Sequence, residues 1–132
     1  MSLAVPHNKL LFAMGINMHV SFKAQDVSYT EAIDGEIVQV AFSEDADNGK
    51  TEINKPYLMI SVNYEFPPIQ PSIEWFDGVE FNGGAQIVKY KLDQKSFQAW
   101  LDNNTSFEIK FNIDETIFKK IEKLMIDLHG KS

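Results

Sequence analysis

The stretch GGAQIVKYKLDQKSFQAWLDNNTSFEIKFNIDETIFKKIEKLMIDL, residues 83–128, carries the clearest structural signals in the chain. Gly83-Gly84 permits a sharp bend into an alternating run over residues 85–92, in which Val88, Tyr90 and Leu92 oppose Lys89 and Lys91. Asp93 then has the character of a helix cap. Phe97, Trp100 and Leu101 follow at i, i+3 and i+4, with Leu92 and Phe97 in the positions of a hydrophobic staple, so a short helix is expected before the Asp102-Asn103-Asn104 turn. A second strand is expected over residues 106–113. Asp114 caps a final helix in which Ile117, Ile121, Leu124 and Leu128 form one stripe, opposite Lys119, Lys120 and Lys123, and Gly130 terminates it.

Upstream, strand periodicity dominates. Residues 18–24 place Val20 and Phe22 on one face, with His19, Ser21 and Lys23 on the other. Asp34-Gly35 is a turn signal, and residues 36–43 alternate again through Val38, Val40 and Phe42. These two runs are expected to pair antiparallel, residues 25–33 between them having no clear period. Residues 44–55, EDADNGKTEINK, read as a polar loop before a strand at 57–64, while the prolines of 67–71 exclude a helix or central strand and mark a surface connection. In IEWFDGVEFN, residues 73–82, Asp77-Gly78 between two β-prone runs is a strong hairpin signal. The expected architecture is α+β: a single mainly antiparallel sheet, meander-like in its N-terminal strands, with the short helix and the C-terminal amphipathic helix packed on it. Residues 1–17 are expected to be a lead-in segment or first strand, Met1-Ser2-Leu3 being compatible with a cloning remnant, and residues 18–132 one domain. Lys9 before the apolar run 10–16 faintly resembles a secretory signal, but the run is short and no small-residue cleavage site follows.

Composition narrows the function. The chain has 132 residues, 44% of them hydrophobic, with ten Phe, which suits one aromatic-rich core. Nineteen acids against twelve bases give a net charge of −7, and every base is Lys. Without Arg for bidentate phosphate contacts, and with a field that repels polyanions, nucleic-acid binding is disfavoured. The absence of Cys removes thiolate chemistry and fits a reducing cytoplasm. No apolar run reaches the roughly 20 residues of a membrane-spanning helix.

The candidate chemistry is thin. Asp45, Asp47 and Asn48-Gly49 superficially match a calcium loop, but placing Gly49 sixth puts Ala46 third and Lys55 twelfth, so the register fails. His7, His19 and His129 lack metal-ligand spacing. Glu74, Asp77 and Glu80 crowd the predicted hairpin, a pairing that glycoside hydrolysis would need at a fixed separation, yet nothing in the sequence tunes one as a proton donor. No Gly-x-Ser-x-Gly, Ser-x-x-Lys or phosphate loop occurs. The expectation is a non-enzyme with no catalytic residues, metal or cofactor, working through its surface. Of the consecutive Trp75 and Phe76, one must point outward from a strand unless something covers it, and an outward Trp75 beside Glu74 and Asp77 would be an interface anchor within a charged rim.

Several of these segments together resemble the immunity-protein-10 family of bacterial polymorphic-toxin systems: EIVQVAFSED (36–45), Tyr57-Leu58-Met59-Ile60, Phe81-Asn82-Gly83-Gly84 entering a strand, and Phe107-Glu108-Ile109-x-Phe111-x-Ile113-Asp114 before a helix carrying Phe118, Ile121 and Leu124. The resemblance spans about residues 35–128. The chain departs from it at Ser61-Val62 and at the proline-rich 66–71. It implies a small cytoplasmic antidote that binds and occludes a cognate toxin domain, and it transfers no contact residue, because the matching positions are scaffold. Charge complementarity makes that toxin a basic protein, met by Asp45, Asp47 and Glu52 of the acidic loop and by Glu74, Trp75, Asp77 and Glu80 of the hairpin. The alternatives are a small-molecule-binding or enzymatic α+β domain with a pocket between helices and sheet, and a structural subunit that self-associates as a homodimer through an edge strand.

Overall fold

A computed structural model of the protein describes residues 18–44 and 55–130. Nine strands and one helix run in the order β1 (Met18–Lys23), β2 (Asp26–Ala32), β3 (Ile37–Ser43), β4 (Tyr57–Asn63), β5 (Ser72–Phe76), β6 (Phe81–Gly83), β7 (Ile87–Asp93), β8 (Ser96–Leu101), β9 (Thr105–Lys110) and α1 (Glu115–His129) among the described residues. The strands form two sheets, not the single one expected: β1-β9-β8-β7 and β2-β3-β4-β5-β6. Every pairing is antiparallel except β1 with β9, which is parallel.

Two expected elements change. The run at residues 18–23 does not pair with β3. The aperiodic segment after it forms β2, a direct hairpin partner of β3, and β1 joins the other sheet instead. The short helix after Asp93 is a strand. Asp93 turns the chain within Gln94-Lys95, its Oδ1 accepting from the Lys95 amide at 2.7 Å and from Ser96 Oγ at 3.3 Å. The strand β8 then sends Phe97, Ala99 and Leu101 inward. Phe97, Trp100 and Leu101 satisfy helical spacing, but only period two also buries Ala99, and it moves Trp100 to the outer face.

The two sheets face each other across rings. Phe42 of β3 stacks on Phe97 of β8 at 5.2 Å between centroids and on Phe111 at 5.6 Å, and Trp75 of β5 meets Phe107 of β9 edge-on at 5.4 Å. Such contacts add about 0.5–1.5 kcal/mol each beyond area burial. Val40, Leu58, Ile60, Val62, Ile73 and Ile109 fill the space between them.

The helix closes one side of this sandwich, packing against β2 and β7. Asp114 caps it as the sequence predicts, Oδ1 accepting from the Ile117 amide at 2.8 Å, and Gly130 ends it at φ 79°. Its buried residues are Ile121, Leu124 and Met125, with Ile117 and Leu128 half-buried beside them. Tyr90 of β7 donates its hydroxyl to the Gly130 carbonyl at 2.6 Å, tying the helix end to the sheet edge. No helix among the described residues is long and apolar enough to cross a membrane.

Candidate functional site

Register places the strand ends that flank the two sequence-predicted contact regions at one end of the five-stranded sheet. Ser43 at the end of β3 lies opposite Tyr57 at the start of β4, Tyr57 opposite Phe76 at the end of β5, and Phe76 opposite Phe81 at the start of β6. These four positions form one row across the outer face of the five-stranded sheet. The segment between β3 and β4 and the turn between β5 and β6 therefore both spring from the same end of that sheet. The neck of the first is closed: the Glu44 amide donates to the Pro56 carbonyl at 3.0 Å, and Lys55 Nζ meets Glu44 Oε2 at 3.6 Å. Asp45, Asp47 and Glu52 lie outside the described residues.

The hairpin turn is held by Asp77. Its Oδ1 accepts from the amides of Val79 and Glu80, both at 2.8 Å, and its own amide donates to the Glu80 carbonyl. Gly78 sits at φ 103°, a conformation that a side chain resists. The Asp77 carboxylate is thus committed to shaping the turn. Glu80 is exposed within that turn, and Glu74 projects from β5, where its Oε2 accepts from the Tyr57 hydroxyl at 3.3 Å. Burial first, and then the Glu74 charge and this hydrogen bond, raise the Tyr57 pKa above the ordinary phenol value.

The aromatic assignment differs from the sequence reading. Trp75 is 3% exposed and sits in the core against Phe107, opposite Leu58 on the inner face, so it cannot anchor a surface contact. Phe76 is the outward residue, and it is covered by Phe81 at 4.6 Å and flanked by Tyr57 at 6.4 Å. Phe81 itself is 74% exposed, and Val79 in the turn is 83% exposed. These two residues are the apolar anchors missed from the sequence. The signal for Phe81 was its mirror placement with Phe76 about the four-residue turn Asp77-Gly78-Val79-Glu80, which puts both rings on one face.

The site is an aromatic row of Tyr57, Phe76 and Phe81 with Val79 at its tip and Glu74 and Glu80 beside it. Among the described residues, no group of three or more His, Asp or Glu side chains converges as a metal site would. Chemically the arrangement offers apolar surface with adjoining negative charge, the composition of a protein contact. Comparison with protein-family models and with curated proteins finds no match to the chain.

Proposed function

We propose that the chain is an immunity protein, a cytoplasmic antidote that neutralises a cognate basic toxin domain by covering its active or functional face. The observation that carries this reading is the pair Phe81 and Val79, exposed at the tip of an aromatic row between Glu74 and Glu80. Aromatic side chains, Phe among them, are enriched at protein interfaces and are surrounded there by a polar rim. The acidic residues Asp45, Asp47 and Glu52 fall in sequence between Glu44 and Lys55, which stand at the same end of the sheet, and their carboxylates would speed capture of a cationic partner. The resemblance of the strand and helix segments to the immunity-protein-10 family points the same way. Between the sheets the volume is occupied by Phe42, Phe97, Phe107, Phe111 and Trp75, which gives a small-molecule reading no support there.

The test is co-expression with the toxin encoded beside it, scored for growth, together with direct binding of the purified pair. Rescue and binding are expected. Phe81→Ala should weaken binding by about 30-fold or more, as truncation of a hot-spot ring does. Failure to rescue and to bind would end the proposal for that pair. Normal binding by Phe81→Ala and Glu80→Lys would move the interface elsewhere on the molecule.

A further inference from the structure

The lysines are segregated. Strands β2 to β6 contain none, whereas the outward positions of the other sheet carry Lys23 on β1, Lys110 on β9, and Lys89 and Lys91 on β7, against only Asp93 and Glu108. Lys23 and Lys110 stand directly opposite each other in the parallel pair, an arrangement of like charges that opposes folding. Neither has an ion-pair partner among the described residues. Beside Lys110 the face dips into an open depression lined by Asp93, Gln94, Lys95, Ser96 and Lys110, where Asp93 is engaged by the turn. At the other end of the face the ring of Trp100 lies under the Lys89 ammonium at 5.0 Å. Centrally, Glu108 is approached by His19 at 4.0 Å.

From this we infer that the outer face of the four-stranded sheet is a second docking surface, which takes an extended acidic polypeptide segment. Alternate residues of an extended chain are about 7 Å apart on one side, the same spacing at which Lys89 and Lys91 project from β7. A segment running along β7 would set alternate carboxylates against that pair, and where it turns diagonally across the face a further carboxylate would meet Lys110 with Lys23. Nucleic acid fits less well. There is no Arg to grip phosphate in two places, Glu108 interrupts the face, and the one ring available for stacking is already covered by Lys89. A long polyanion would also run off the face into the field of a molecule of net charge −7, whereas a short segment stays within a Debye length of the lysines. An anionic bilayer finds only half-buried Trp100 and, at the β7 irregularity, exposed Val88 as apolar side chains to insert on this sheet.

Trp100 is a built-in reporter, because Trp75 is buried between the sheets. A peptide of eight residues alternating serine and glutamate, titrated into the full chain at low salt, should change Trp100 fluorescence saturably. The double variant Lys23→Gln/Lys110→Gln should weaken that binding by about tenfold, the effect of losing two exposed ion pairs. Lys120→Gln/Lys123→Gln, which removes the same charge from exposed positions of α1, should leave it unchanged. Equal weakening by both double variants would reduce the effect to net charge and overturn the proposal. So would absence of a response, or tighter binding of an eight-nucleotide oligothymidylate or of phosphatidylserine vesicles.

Discussion

At the scale of single residues, Trp75 and Phe81 separate stability from recognition. Trp75→Ala removes a ring wedged against Phe107 and opposite Leu58, and should cost about 3–5 kcal/mol of unfolding free energy by denaturant titration. Phe81→Ala removes an exposed ring and should leave the midpoint within about 1 kcal/mol of the parent while lowering partner affinity. Ile33 offers a gain: it is β-branched, 60% exposed, and held at φ 53° in the turn before β3. Ile33→Asn should stabilise by about 1 kcal/mol, since Asn tolerates that region and Ile does not; an unchanged thermal midpoint would show the strain to be relieved elsewhere. Part of this was legible in the sequence. Asp34-Gly35 and Asp77-Gly78 announced their turns. The choice between Trp75 and Phe76 was legible too, since at period two Trp75 shares a face with apolar Ile73 while Phe76 shares one with charged Glu74.

At the scale of elements, the helix was readable and β8 was not, for one reason. The helix carries its stripe over four turns and has a signal at each end, Asp114 and Gly130. Six residues with Phe97, Trp100 and Leu101 fit either period, and the hairpin hydrogen bonds to β7 and β9 decide between them. Asp114→Ala should cost about 1 kcal/mol through loss of the Ile117 contact, read from thermal unfolding. The other end of α1 carries a pH dependence. His129 Nε2 is buried without a hydrogen-bond partner, and burial lowers the His129 pKa below its ordinary 6.5, overriding the helix C-terminus that would favour the cation. The unfolded chain therefore binds that proton more readily. The stability His129 contributes is complete above 6.5 and declines as pH falls from there through the lower folded value. Between pH 8 and 5 the melting temperature of the parent should fall further than that of His129→Gln; parallel curves would refute the linkage.

At the scale of the molecule, alternation in the sequence reveals which face of each strand is apolar, but not which strands share a sheet. Val20 and Phe22 look the same whether β1 lies beside β3 or beside β9. Division into two sheets is also what segregates charge, with lysines on one outer face and the Glu74–Glu80 hairpin on the other sheet. If the proposed toxin docks at the Glu74–Glu80 hairpin, its association should weaken as salt rises from 50 to 500 mM (about a threefold fall in Debye length), mainly through a slower on-rate in stopped-flow mixing. A salt-independent on-rate would remove electrostatic steering from the account. The parallel β1–β9 pair has a consequence of another kind. It joins strands separated by most of the described chain, while β7, β8 and β9 meet through short turns. During synthesis β1 emerges before β9 and must wait for it. The closing of the four-stranded sheet is thus the contact with the largest loop-closure entropy. Until the ribosome has released residues 105–110, β1 has an apolar face and no strand to lie against, and that interval is when the nascent chain is most open to aggregation.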